Sequence, residues 1–110
     1  MKELTKFEEI LLLAIWKLKE DAYGVKIRQH VCNVINKEFT YGNLYSALNQ
    51  LERKEYVFKS QGEITPNRRG RPKVIYTVSE LGFEALKASY EMNEAMWAGI
   101  TKFALNNNQD

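Results

Sequence analysis

The chain has 110 residues, 45% of them hydrophobic, enough for a single domain with a small core. Its net charge of +2 hides an asymmetry, because without Arg68, Arg69, Arg71 and Lys73 the 16 basic residues fall to 12 against 14 acids. Cys32, the single cysteine, excludes an intrachain disulfide, and the longest apolar run, Ile10 to Trp16, is far too short to span a bilayer. The start, Met-Lys-Glu-Leu-Thr-Lys, lacks the apolar stretch of a signal peptide, so the expectation is a cytoplasmic protein with no membrane partner. Apolar Val31 and Val34 beside Cys32 predict a buried thiol.

Thr5-Lys-Phe-Glu8 has the form of a capping box and predicts a first helix to about Lys19. Phe7, Ile10, Leu11, Ala14, Ile15 and Leu18 fall at helical spacing, while Leu12, Leu13 and Trp16 widen the apolar band beyond what one core needs. The band either meets a second chain or belongs to a fully buried central helix. After the break at Glu20 to Gly24, a second helix is predicted to about Asn36, burying Ile27, Val31, Val34 and Ile35. Lys26 and Arg28 lie outward, as phosphate contacts or as solvated surface charge. Thr40 caps a third helix that follows so closely that the pair makes a helix-turn-helix.

In this third helix Leu44, Ala47, Leu48 and Leu51 share one face, leaving Asn43, Tyr45, Ser46, Asn49, Gln50 and Arg53 on the other. Amides and hydroxyls with few acids are the groups that hydrogen-bond base edges and phosphates. Tyr41, Asn43, Tyr45, Ser46 and Asn49 are therefore candidates to face a DNA major groove or its flanking phosphates, with Thr40 at the helix start and Tyr23 on the backbone.

Tyr56-Val-Phe and Val74-Ile-Tyr-Thr-Val read as the strands of a hairpin, with Gly62, Pro66, Asn67, Gly70 and Pro72 between them. Arg68, Arg69, Arg71 and Lys73 charge the connection, and no acid follows Glu63 within it. Arg69-Gly70-Arg71-Pro72 matches the short core of minor-groove hooks, so the hairpin tip either enters a narrow minor groove or contacts phosphates. The fold class is mainly α with a small β-hairpin: a winged helix-turn-helix followed by a long C-terminal dimerisation helix.

That last helix starts at Ser79-Glu80 and is predicted to reach about Leu105, before a frayed Asn-Asn-Asn-Gln-Asp tail. Leu81, Ala85, Ala88, Met92, Ala95 and Gly99 step by four and three, with Met96, Ile100 and Phe103 alongside. Together with Leu12 and Trp16 of the first helix, Ala85, Met92, Met96, Gly99, Ile100 and Phe103 are the candidate contacts of a homodimer. Residues 1–78 would form the DNA-binding unit and 79–110 the dimerisation helix and tail. An enzyme finds little support. His30 is the only histidine and has no companion ligands, and no phosphate-binding glycine pattern occurs, so neither a metal nor a cofactor is expected.

Ala22-Tyr-Gly24, then Tyr41-Gly-Asn-Leu-Tyr-Ser-Ala-Leu-Asn-Gln-Leu-Glu52, Tyr56-Val57 and the stretch Arg68 to Gly82 together resemble PadR-like transcriptional regulators, the phenolic acid decarboxylase repressor type. The likeness spans Phe7 to about Leu86, and the single C-terminal helix is similar to the compact branch of the family. Asn43, Glu55 and Val78-Ser79 depart from the family pattern, Glu55 standing where a glycine often precedes the Tyr-Val strand. The resemblance implies a winged-helix domain, pairing of two protomers through the C-terminal helix, repression as the usual mode, and often an aromatic or cationic effector. Phe7, Trp16, Asn93, Met96 and Trp97 either line such an effector cavity or simply pack the dimer.

The expected function is a homodimeric DNA-binding regulator that grips a palindromic operator in double-stranded DNA through the third helix and the basic wing. The rival is a winged-helix adaptor that binds protein without sequence-specific DNA contact.

Overall fold

The computed structural model describes residues 2–62 and 72–106. Helix α1 spans Lys6–Leu18 and opens on the capping box expected of it: the Thr5 hydroxyl accepts from the Glu8 amide at 3.1 Å, and the Glu8 carboxylate accepts from the Thr5 amide at 2.9 Å. A single 3₁₀ turn, Lys19–Asp21, leads to α2, Gly24–Ile35, which stops where Asn36 adopts a left-handed backbone with φ 56°. Helix α3, Tyr41–Arg53, begins at Thr40, whose hydroxyl accepts from the Asn43 amide at 3.0 Å. Strands β1, Val57–Gln61, and β2, Val74–Val78, pair antiparallel with Val57 opposite Val78 and Lys59 opposite Tyr76.

The core gathers Leu11, Leu12, Ala14 and Ile15 of α1, Ile27 and Val31 of α2, Leu44, Leu48 and Leu51 of α3, and Tyr56, Val57, Tyr76 and Val78 around the hairpin. Three sequence expectations change here. Leu12 is fully buried in the protomer's own core, so its side chain is not a dimer contact. Val34 is 61% exposed and Ile35 only half-buried, because α2 turns Ile27 and Val31 inward and rolls its last turn away from the core. Cys32, one position past Val31 on the helix, is half-buried and not sealed in apolar surroundings.

The hairpin is tied at both ends. The Tyr76 amide donates to the Ala22 carbonyl at 2.8 Å, fixing β2 to the turn before α2. Glu55 crosses from α3 to β1 with φ 64°, and its carbonyl accepts from the Ser79 hydroxyl at 2.6 Å. Ser79 also caps α4, Glu80–Trp97, by accepting from the Gly82 amide at 3.0 Å. Gly82 must lack a side chain, because a β-carbon there would collide with the Tyr56 carbonyl oxygen.

Behind α3 lies a closed polar cluster. Lys54 Nζ meets the Glu8 carboxylate at 2.7 Å and also donates to the Glu3 carbonyl at 3.0 Å. The side chains of Lys54 and Glu8 are only 16% and 5% exposed. The Tyr56 hydroxyl donates to the Lys2 carbonyl, and burial, with a smaller push from Glu8 against the pull of Lys54, raises its pKa above the usual tyrosine value. The segment before α1 is thus latched to the far end of α3 and to the start of the wing.

Helix α4 runs back along α1, with Phe83 edge-on to Trp16 at 5.0 Å and the Asn93 amide 3.5 Å from the Glu9 carboxylate. Its first half is anchored by Gly82, Ala85 and Leu86, and Ala85 is therefore core and not a dimer contact. It stops at Trp97, short of the predicted Leu105. Gly99 turns the chain with φ 82°, and a separate short helix α5 covers Lys102–Asn106. Gly99 is a corner and not a step in a continuous seam. The extents are 58 × 29 × 21 Å and the radius of gyration is 16.6 Å. A compact chain of this length would have about 13 Å.

Candidate nucleic-acid interface

Helix α3 turns Leu44, Leu48 and Leu51 into the core, which leaves Tyr41, Asn43, Tyr45, Ser46 and Asn49 exposed on the opposite side. Its first turn contains no acid, so the partial positive charge of the helix start is not cancelled there. Tyr41 and Tyr45, one turn apart, stack with ring centres 6.4 Å apart and planes 23° from parallel. The Thr40 hydroxyl is occupied in capping, so its first task is to set the helix start.

A recess of about 380 Å³ opens between the start of α2, the exposed side of α3 and the hairpin, bordered by Tyr23, Gly24, Tyr45, Asn49, Lys59, Pro72 and Tyr76. Lys73 lies at its edge with Nζ 4.4 Å from the centre of the Tyr23 ring. Lys59 lies 3.3 Å from Glu52, and both side chains are partly solvated. The Tyr76 hydroxyl is held protonated above the usual tyrosine range, first by burial and then by nearby Tyr45 and Glu52. The recess thus offers hydroxyl, amide and ammonium donors beside the polar face of a helix, an arrangement suited to phosphate oxygens and base edges.

Tyr23, Tyr45, Asn49 and Lys73, chosen from sequence, are brought together around this recess. Tyr41 stacks on Tyr45, whereas Asn43 and Ser46 lie further around α3 and border a second recess with Phe39. Arg68, Arg69, Gly70 and Arg71 lie outside the described residues. Lys59 was missed. Alternation along β1 puts it on the face of Val57, and that face turns toward α3 because Val57 and its partner Val78 are core.

The effector candidates do not converge within one protomer. Phe7 packs edge-on against Phe39 at 5.0 Å, and Trp16 borders a recess of about 500 Å³ with Phe83 and Ile75. Asn93 reaches Glu9, and Met96 and Trp97 stand exposed near the end of α4. Trp16, Met92, Met96, Ile100 and Phe103, of the dimer candidates, are exposed. Among the described residues no helix is long and apolar enough to cross a membrane, and no group of three or more acidic, histidine or cysteine side chains could hold a metal ion.

The sequence pattern described as the transcriptional regulator PadR-like family matches residues 12–88. The chain belongs to the PadR-like family. Members of this family are DNA-binding transcriptional regulators and not enzymes. A comparison with curated proteins finds no match. Among solved structures, a PadR family transcription regulator from Clostridium difficile R20291 is 26% identical, with a TM-score of 0.61 over 91% of this chain and 96% of that one. H. salinarum RosR shares the fold at 23% identity and a TM-score of 0.69, covering 91% of this chain and 83% of its own. A PadR-like transcription factor from Bacteroides fragilis does so at 23% and 0.64, covering 86% and 89%. The winged-helix architecture, with a helix after the wing, is that of the PadR-like fold.

Proposed function

We propose that this PadR-like protein is a homodimeric repressor that binds a palindromic operator in the cytoplasm, with residues 1–78 holding the DNA and 79–110 pairing the protomers. The observation that carries the reading is the convergence of Tyr23, Tyr45, Asn49, Lys59 and Lys73 beside the exposed middle of α3. Tyr41, Asn43, Tyr45, Ser46 and Asn49 would meet base edges and flanking phosphates, and Tyr23, Lys59 and Lys73 the backbone. Arg68, Arg69 and Arg71 extend the positive charge to the neighbouring phosphates or minor groove.

Exposed Trp16, Met92, Met96, Ile100 and Phe103 support pairing, since large apolar side chains left in water are stabilised by burial against a second protomer. A two-fold dimer would set its half-sites about 34 Å apart. A planar aromatic effector seated near Trp16 and Trp97 would release the DNA, and a change in tryptophan fluorescence on titration would report it.

The deciding experiment measures binding of the purified protein to the DNA upstream of its own gene, against random DNA of equal length, at two salt concentrations. A salt-sensitive preference for the upstream fragment is expected. Equal and weak binding to both fragments would overturn the repressor reading and return the protein-binding adaptor.

A further inference from the structure

Arg28 is not a free surface charge. Its Nε donates to the Phe39 carbonyl at 2.7 Å, just before the Thr40 cap of α3. Its guanidinium lies 4.0 Å from the Glu38 carboxylate, 4.9 Å from the Tyr41 ring centre and 5.8 Å from that of Phe39. Tyr41 stacks on Tyr45, and the Tyr45 hydroxyl abuts Gly24, back on the helix that carries Arg28. A closed circuit of contacts therefore joins α2, the turn and the first two turns of α3.

We propose that Arg28 is a positioning residue that determines specificity by holding Tyr41 and Tyr45 in their binding arrangement before DNA arrives. The proposal rests on α3 being the recognition helix. Both tyrosines are exposed, and rings left free would have to be ordered to meet base edges in the operator, an entropic cost that non-specific backbone binding does not carry. A guanidinium fixes a ring plane through its flat face while its edge is tied to a carbonyl, which an ammonium cannot do. Commitment of Nε to Phe39 also removes part of the fork that a bidentate phosphate contact uses.

The test uses the full chain as Arg28→Met, which keeps the stem, and Arg28→Lys, which keeps the charge. Arg28→Met is expected to reduce the preference for the upstream fragment over random DNA about tenfold with the salt slope unchanged, and Arg28→Lys to recover little of it. A slope lower by about one with preference intact would make Arg28 a phosphate contact, and no change in either would leave it only a structural prop; both outcomes overturn the proposal. Fluorotyrosine NMR of the DNA-free protein gives an independent readout. The Tyr41 and Tyr45 signals should move toward free-tyrosine values in Arg28→Met, and unchanged signals would overturn the proposal even if the wild type shows no sequence preference, a result that would instead sink the repressor reading. Should Arg28→Met fail to fold, Tyr41→Leu keeps the bond to Phe39. It should still shift the Tyr45 signal and lower the preference, and failure of both changes rejects the proposal.

Discussion

At the far end of α3, Lys54 is sealed against Glu8 beneath the segment before α1, whereas on its other flank Lys59 and Lys73 remain at the surface beside Tyr45 and Tyr23. Both regions combine lysines with tyrosines, yet they differ in access to water. In the sealed cluster every charge depends on its partner, because an ion left alone out of water is expensive. In the open recess, solvent can replace a lost partner, so Lys59 can exchange Glu52, and Lys73 the Tyr23 ring, for a ligand at little cost. One helix thus separates the lysine that holds the fold from the lysines that the proposed function assigns to DNA.

The largest expected effect breaks the sealed side. Lys54→Met should destabilise the protein by about 3 kcal/mol in urea denaturation, because it strands the Glu8 carboxylate, and adding Glu8→Leu should recover much of that loss. A loss well under about 1 kcal/mol for the single change would show that water already screens the pair. On the open side, Lys59→Ala and Lys73→Ala should each leave stability within about 0.5 kcal/mol while flattening the salt dependence of DNA binding by about one. Equal stability losses on both sides would erase the contrast.

The smallest effect is in alkaline solution. Tyr56, in the sealed cluster, and Tyr76, at the recess, both hold their protons above the usual tyrosine value, mainly through burial. The folded state then keeps protons that the unfolded chain releases, so stability is level below about pH 10 and falls as pH rises beyond it. Following the urea midpoint from about pH 8 to about pH 11 should show this decline, shallower in Tyr76→Phe. A midpoint that rises over this window would reverse the sign and refute the assignment.

Helix starts were legible because capping is local: Thr5, Thr40 and Ser79 each mark the position at which a helix begins. Less legible were features that depend on what lies opposite. Leucine periodicity in α1 could not tell whether Leu12 faces its own core or a second chain, since that depends on the path of the hairpin and α4. Gly99 fitted a helical step in the sequence, but none of the described residues beyond Trp97 is buried in the protomer, and glycine's freedom at positive φ makes a corner. Six of the eight described DNA-contact candidates lie at the start of α3 or on its exposed residues, because helical periodicity carries its outward face with it, and four of the eight, Tyr23, Tyr45, Asn49 and Lys73, lie around one recess. Lys59 needed the tertiary fact that the Val57 face turns toward α3.

Glu55, with its φ of 64°, bears on how this position drifts in evolution. A residue with a β-carbon pays about 1 kcal/mol to sit there in the folded state. Glycine escapes that strain but enters the unfolded ensemble with more freedom to lose, by about 0.5–1 kcal/mol. The two effects nearly cancel, so exchange between glycine and another residue here is close to neutral. A lineage can cross that step in either direction without a compensating change elsewhere.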